Sequence, residues 1–480
     1  MSNGATPHYN LYDVKSGMFV DADGKKNAPH VNIQGKYSGE RRCPGCGATE
    51  LTTDPSTGKL KCPYCDTLVD DVTQNDMEAS LTLQSEGIYM SDSAAAMDSA
   101  KADEKIATYE CPNCGADVVV DMADANSARC HWCRGHLAIN NRVANGAVPD
   151  YVLPFGVKKE QAVNKIRSFV EKHKFFIHKT FADEFNPENV CGVYMPYTLV
   201  DANVHAKFTG EGQIKIREYS EGSGDDRETY YDADEYAVER EFDVIIDDLS
   251  LESNSARNEK KKDRTDNIIT SIMPFDTENC VPYDSNYLMG YTSEKRDVSC
   301  VSQIQKAELQ IQDICRHEAA STLSKYDRGV RWDYEDVNIK SERWNTAYLP
   351  VWLYSYYQRD KKIMHYVAVN ARTQETMGSV PYNASRLMGV SVLIGVACLV
   401  FASLIGMWLD SIYPFILMVA PFIYYWTIKS SYRNDSARHN HESETKHKIG
   451  DIVGYDRKIG TIKKTKSSGV RNANYNVIKG

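Results

Sequence analysis

Three features of the chain predict its architecture. Near the N-terminus, eight cysteines form four Cys-x-x-Cys pairs in two matched sets. The middle of the chain mixes helical periodicity with stretches of strand-like alternation. Near the C-terminus, two uncharged runs follow each other almost without a break. Together they predict a multidomain chain: two small β zinc ribbons, an α+β domain with an antiparallel sheet and an internal repeat, and a two-helix transmembrane hairpin.

The four pairs are Cys43-Pro44-Gly45-Cys46, Cys62-Pro63-Tyr64-Cys65, Cys111-Pro112-Asn113-Cys114 and Cys130-His131-Trp132-Cys133. Fifteen residues separate Cys46 from Cys62, and fifteen separate Cys114 from Cys130. A C-x2-C-x15-C-x2-C unit occurring twice has metal-ligand spacing. Each turn points two thiolates inward, and two turns joined by a hairpin close a tetrahedral S4 shell. Such a shell leaves no open position for water or substrate, so two structural Zn2+ ions are expected. A redox dithiol usually stands alone near a βαβ unit, and an iron–sulfur cluster is the other use of four thiolates. His131 and His136 lie beside the ligands and are read as surface or supporting groups.

Taken in order, residues 1–39 are polar and rich in Gly and Asn, which predicts a flexible lead without a secretory signal. Ribbon 1 spans 40–70, with hairpin-turn chemistry at Asp54-Pro55-Ser56-Thr57-Gly58. Residues 71–108 are rich in Ala, Ser, Asp and Met. Ala94 to Ile106 has only a weak apolar stripe, so a solvated linker is expected. Ribbon 2 spans 109–140.

The α+β domain covers 150–382. Glu160 to His173 reads as a helix, with Ala162, Ile166, Phe169 and Val170 on one face. Val190 to Phe208 reads as strands broken at Met195-Pro196, and 211–250 as long, half-exposed antiparallel strands. The halves 150–252 and 270–382 share a word order. Leu153-Pro154-Phe155 is echoed by Met273-Pro274-Phe275, and Tyr194-Met195-Pro196 by Tyr348-Leu349-Pro350. A second helix is expected over Val301 to Leu323.

Leu387–Leu409 is 23 residues without a charge, enough to cross a bilayer core of ~30 Å. After Asp410 and Ser411, Ile412–Ile428 adds 17 more, with Tyr424-Tyr425-Trp426 where an aromatic belt would lie and a kink expected at Pro421. Arg386 before the first run, and Lys429, Arg433 and Arg438 after the second, put both flanks on the positive, cytosolic side. The expected location is therefore the inner face of a cell membrane. The tail 429–480 carries twelve Lys/Arg against five Asp/Glu, a net +7 that leaves −17 on the rest of the chain. Such a segment suits anionic lipid or a plain positive-inside flank.

The full chain of 480 residues has a net charge of −10, which argues against a protein built chiefly to grip polyanions. The five other cysteines, Cys191, Cys280, Cys300, Cys315 and Cys398, are scattered and odd in number, as suits a reducing compartment. Phosphate-loop, G-x-S-x-G, H-E-x-x-H and G-x-G-x-x-G motifs are absent. His178, His205 and His317 stand alone. Asp225-Asp226 and Asp247-Asp248 read as strand ends. The aromatic run Tyr348, Trp352, Tyr354, Tyr356, Tyr357 reads as the two faces of a strand. No catalytic constellation is assigned and no small-molecule substrate is evident.

The order of ribbons, Leu153-Pro154-Phe155 with a helix, Gly192-Val193-Tyr194-Met195-Pro196, Pro274-Phe275 and Tyr348-Leu349-Pro350-Val351-Trp352 resembles the bacterial TFIIB-type zinc-ribbon-containing proteins. These are often labelled after the primosomal protein N′ (replication factor Y). The resemblance covers about residues 40–382, and the eight cysteines are its most specific part. It implies zinc at those cysteines and a link to replication or transcription, without a helicase motor. The expectation is a membrane-anchored, non-enzymatic binding or scaffold protein with a protein partner and membrane lipid contacts. The alternative is a nucleic-acid-binding ribbon protein.

Overall fold

The structure, a computed structural model, describes residues 9–20, 26–27, 43–48, 51–54, 57, 59–69, 86–96, 106–122, 128–137, 142–143, 148–222, 228–255, 272–358, 363–409, 413–433 and 445–466. The N-terminal stretch carries β1 (Tyr9–Asp13), β2 (Met18–Val20) and β3 (Lys26–Asn27). Ribbon 1 holds β4 (Thr52–Thr53) and β5 (Leu60–Lys61). Next come β6 (Gly87–Ser91) and the single turn α1 (Asp92–Ala95). Ribbon 2 holds β7 (Ile106–Glu110) and β8 (Asp117–Asp121), and β9 (Arg142–Val143) follows. The body runs β10 (Tyr151–Val152), α2 (Lys159–Lys172), α3 (Lys179–Glu184), β11 (Cys191–Glu221), β12 (Glu228–Glu252), β13 (Val281–Pro282) and β14 (Thr292–Glu294). It continues through α4 (Cys300–Ser321), β15 (Val330–Gln358), β16 (Ile363–Asn370) and β17 (Thr376–Gly378). Then come α5 (Ala384–Leu409), a 3-10 segment (Tyr413–Val419), α6 (Ala420–Arg433), β18 (Lys446–Ile449) and β19 (Val453–Lys466).

β11, β12 and β15, of 31, 25 and 29 residues, form the centre of one large mixed sheet in the order β12–β11–β15. Period-2 alternation places Val204, Ala206 and Phe208 beside Phe242, Val244 and Ile246 on one face. The stripe Ile304, Ala307, Ile311, Ile314 of α4 covers that face. Each of these larger side chains contributes about 1.5–3 kcal/mol when fully buried. The opposite face stays wet and carries ion pairs such as Lys207 with Glu239 and Glu241.

The internal repeat is built around a local two-fold axis. Tyr194 lies opposite Pro350, and Pro196 opposite Tyr348, with Met195 facing Leu349 between them. Each proline can sit inside a strand because the facing carbonyl that its missing N–H would have met, Ser253 O or Ala371 O, takes other donors, while its own carbonyl accepts a bond. Ser253 N–H donates to Pro196 O (3.0 Å), and Ala371 N–H to Pro350 O (3.1 Å). Hence β11 is unbroken at Met195-Pro196, contrary to the expectation from sequence. β10 pairs in parallel with β15 at Ala347 and Tyr348, as β14 does with β11 at Val193 and Tyr194. Gly156 and Val157 N–H groups donate to Ala371 O, while those of Asp297 and Val298 donate to Ser253 O. The counterpart of Val152-Leu153-Pro154-Phe155 is therefore Ser293-Glu294-Lys295-Arg296. The Pro-Phe words at 274–275 were a misleading match. α2 contacts β15 and β16 of the other half, and α4 contacts β11 and β12. The halves interlock rather than stand side by side.

Three polar stretches hold more structure than their composition suggested. β1 to β3 lie within the lead, with β1 bonded to β6. β6, within the linker, adds in parallel to β15 at Ser341–Trp344. β18 and β19, within the tail, pair with β12. All are short or polar strands that follow an edge of the large sheet rather than a pattern of their own. β12 is thus covered on both edges, by β11 on one side and by β18 and β19 on the other. Near the C-terminus, α6 starts at Ala420 instead of Ile412. Pro421 sits in its first turn, just past the change from 3-10 to α at Val419–Ala420. Asp410, Ser411 and Arg438 lie outside the described residues, as do Asp225, Asp226 and most of the turn at 54–58 and of the segment 97–105.

Candidate metal centres

All four Cys-x-x-Cys turns share one backbone. The residue after the second cysteine takes the left-handed region: Gly47 (φ 79°), Asp66 (58°), Gly115 (74°) and Arg134 (61°). Its N–H donates to the first cysteine's carbonyl, at 2.8 Å from Gly47 to Cys43, 3.0 Å from Asp66 to Cys62, and 2.8 Å from Gly115 to Cys111 and Arg134 to Cys130. Glycine meets that conformation without strain, whereas Arg134 does not. The Arg134 guanidinium lies 4.6 Å above the Tyr354 ring, which helps hold it there.

These turns bring the eight predicted cysteines into two groups of four, Cys43/Cys46/Cys62/Cys65 and Cys111/Cys114/Cys130/Cys133, each with Sγ atoms within 4.8 Å of one another. Opposed Sγ atoms lie 3.4 Å apart for Cys43–Cys65 and 3.5 Å for Cys46–Cys62. In ribbon 2 they lie 3.4 Å apart for Cys111–Cys133 and 3.6 Å for Cys114–Cys130. A tetrahedral shell with metal–sulfur bonds of about 2.3 Å requires an edge of about 3.8 Å. Both groups can therefore hold a metal ion with small adjustment. Gly45 N–H also donates to Cys43 Sγ (3.3 Å). In ribbon 2, hydrogen bonds from Cys114 and Cys130 hold the Cys133 thiol far below its ordinary value, while the Cys114 and Cys133 sulfurs push Cys130 far above its own. Four thiols this close cannot all ionise without a cation among them.

The two ribbons are mounted differently. Ribbon 1 has its own two-stranded sheet, β4 with β5. Ribbon 2 is part of the large sheet, because β8 pairs with β14 from Val118–Glu294 to Val120–Thr292. Its last turn is plugged into the body. Trp132 Nε1 donates to Glu294 Oε1 (2.7 Å), and the Trp132 ring meets Tyr366 edge-on at 5.5 Å. His131 is buried with Nδ1 3.1 Å from Thr292 Oγ1, and its carbonyl accepts from Ser355 Oγ (2.6 Å). His136 is exposed. His131 thus supports the turn, and neither histidine completes the shell. Nothing in the sequence singled out Glu294 as the anchor for Trp132.

The other candidates disperse. Asp201, Asp247 and Asp248 come together, but Asp201 is held by Arg343 (3.0 and 2.7 Å) and by Asp248 N–H (2.9 Å). His205 lies on the wet face between Asp243 and Glu241, His317 is exposed, and His178 precedes α3. Tyr348, Trp352 and Tyr354 are core residues, with Trp352 Nε1 bonded to Val157 O (2.7 Å).

Beyond β17, Ala384–Ile405 of α5 is long and apolar enough to cross a membrane, and Leu393 and Phe401 on it are 70% and 63% exposed. α6 packs beside α5, with Pro421 close to Gly395. The chain then returns to the body. Tyr432 Oη donates to His173 O and accepts from Phe176 N–H (3.0 Å), while β19 runs along β12. Its basic residues meet acids there: Lys458 with Asp234 (2.6 Å), Lys464 with Glu221 (2.7 Å).

No family model matches the chain, and no solved structure matches it. The chain is similar to "Uncharacterized protein YdjG" of Bacillus subtilis (strain 168), with 26% identity over 334 residues that span 59% of this chain and 92% of that protein.

Proposed function

We propose that this chain is a membrane-anchored, non-enzymatic zinc-ribbon scaffold on the cytosolic face of a cell membrane, with α5 and α6 as its transmembrane hairpin. One observation carries the reading: β18 and β19, after the apolar helices, pair with β12, before them. Both flanks of the apolar segment then belong to one sheet and must lie on one side of a bilayer, so the segment crosses an even number of times. Lengths agree. The 26 residues of α5 span about 39 Å. The seven-residue 3-10 segment and the 14 residues of α6 together span about 35 Å, against a core of about 30 Å. Closed S4 shells fit structural zinc, and thiolate ligands fit a reducing compartment. Partner docking falls to ribbon 1 and to β19, which pairs with β12 and, among the described residues, ends the sheet there.

The test is membrane fractionation of the full chain, tagged at both ends, with an alkaline wash and protease treatment of sealed vesicles. Retention through the wash, with both tags cleaved from the same side, is expected. Release by the wash, or tags on opposite sides, would overturn the reading.

A further inference from the structure

We propose that the end of α2 and the bases of α5 and α6 form a collar that binds the phosphate headgroups of anionic lipids. This rests on the reading that α5 and α6 sit in a membrane. The collar is rigid. Tyr432, near the end of α6, bonds both His173 O and Phe176 N–H, and Val380 N–H donates to Tyr432 O (3.2 Å). The Tyr432 ring also packs on His173 (4.9 Å) and Phe176 (6.2 Å). The loop after α2 is thereby fixed beside the helix bases.

Phe175 projects from that loop, 54% exposed, with the Arg386 guanidinium 4.6 Å above its ring. Arg386 is the third residue of α5, so Phe175 stands at the level where the apolar surface begins. Lys172 and Lys174 flank it and are exposed. On α6, Lys429 Nζ lies 4.9 Å from the ring of Trp426, which is itself 64% exposed. Each helix base thus carries one cation–aromatic pair. Tryptophan rings such as that of Trp426 favour the headgroup level of a bilayer.

The cations of the collar are unpaired: Lys172, Lys174, Arg386 and Lys429 make no ion pair with any described residue. On the large sheet, Lys207, Lys458, Lys464 and Arg331 each have a carboxylate within 3.0 Å. The pseudo-symmetric helix supplies an internal contrast. Just past the end of α4, Lys325 is neutralised by Asp456 at 2.5 Å. At the end of α2, Glu171 is the one acid in the 171–175 segment. In a chain of net charge −10, four unmatched cations and two exposed aromatics around the helix bases await an anion from outside. Lipid phosphates at the helix bases supply it.

The test uses the full-length Phe175→Trp variant in vesicles of phosphatidylcholine with brominated phosphatidylcholine or brominated phosphatidylglycerol. An alkaline wash runs in parallel. Expected is quenching of the added tryptophan's emission, several-fold stronger with the anionic lipid. Lys172→Gln/Lys174→Gln in that background should remove the difference without releasing the protein. An unquenched tryptophan in wash-resistant protein overturns the collar and leaves the anchor standing. Equal quenching by both lipids overturns its anionic selectivity. Release by the wash overturns the anchor, and with it the collar that rests on it.

Discussion

Trp132 Nε1 donates a 2.7 Å hydrogen bond to Glu294 Oε1, and that bond joins the last cysteine turn of ribbon 2 to β14 of the body. Loss of the second metal site should therefore be felt far beyond the ribbon. Were ribbon 2 (109–140) a unit separate from 150–382, Cys114→Ser would unfold it and leave 150–382 intact. The β8–β14 ladder and the buried Trp132 predict coupled loss instead. Truncating Trp132 to Ala should cost about 3–5 kcal/mol. Cys46→Ser should lose one bound zinc and shift the body's thermal transition less, because ribbon 1 has its own sheet and meets the body through side-chain packing of Leu51 and Leu60 in the core that holds Tyr287 and Leu288. Metal analysis with melts followed by near-ultraviolet circular dichroism checks both. A body transition unmoved by Cys114→Ser would refute the coupling.

The cysteine groups were legible because ligand spacing is local: each pair lies within one turn, and the two turns lie within one hairpin. The Tyr-x-Pro words were legible for a related reason, since each marks the residue where a ladder begins. What escaped notice was long-range. Pro274-Phe275 looked like Pro154-Phe155, yet the true counterpart at 295–296 is Lys-Arg, because backbone bonds to Ser253 and Ala371 define the repeat and side chains do not. β6 and β18 are chosen by open edges of β15 and β12, and an edge cannot be read from the strand that fills it. Glu294, 162 residues from Trp132, gave no signal for the same reason.

Nucleic-acid binding should be weak and should not rise steeply at low salt. The tail's cations, which would be the natural phosphate contacts, are partly spent on acids of β11 and β12: Lys458 on Asp234 and Lys464 on Glu221. The fourth cysteine turn, which might have read a groove, has its tip buried against Thr292 and Glu294. The measurement is binding of the full chain, in nanodiscs of neutral lipid, to single- and double-stranded oligonucleotides over a salt series. Tight binding that falls off steeply with salt would mean phosphate contacts and favour the alternative reading.

The return of the tail to the sheet depends on Asp456. Burial raises its carboxyl, but hydrogen bonds from Arg240, Lys325 and Tyr326 outweigh this and hold it at about 2. Its contribution is thus present above the unfolded carboxylate value of about 3.9 and is lost as pH falls towards 2. Asp456→Asn leaves the buried Arg240 guanidinium short of its partner, at a cost of about 3–5 kcal/mol. Hydrogen exchange of the 453–466 amides should speed up in that variant at pH 7 while the β11–β15 ladder keeps its protection. Unchanged exchange would show that backbone pairing with β12 holds β19 unaided.

Glu342 gives the opposite pH signature. It is 2% exposed, and burial pushes its carboxyl up to about 7, although Trp344 Nε1 donates to Oε2 at 2.8 Å. A carboxyl that holds its proton more tightly when folded stabilises the fold fully below the unfolded value of about 4.3, and that contribution is lost as pH rises towards 7. Glu342→Gln keeps an acceptor for the indole and removes the charge. The variant should match the wild type near pH 4 and exceed it by up to about 3 kcal/mol at pH 8, read as a shift in the urea midpoint at unchanged slope. The gain must grow across that window, because only the wild type has to bury a carboxylate at the upper end. A difference that stays constant from pH 4 to pH 8 would mean that Glu342 is charged or solvated throughout.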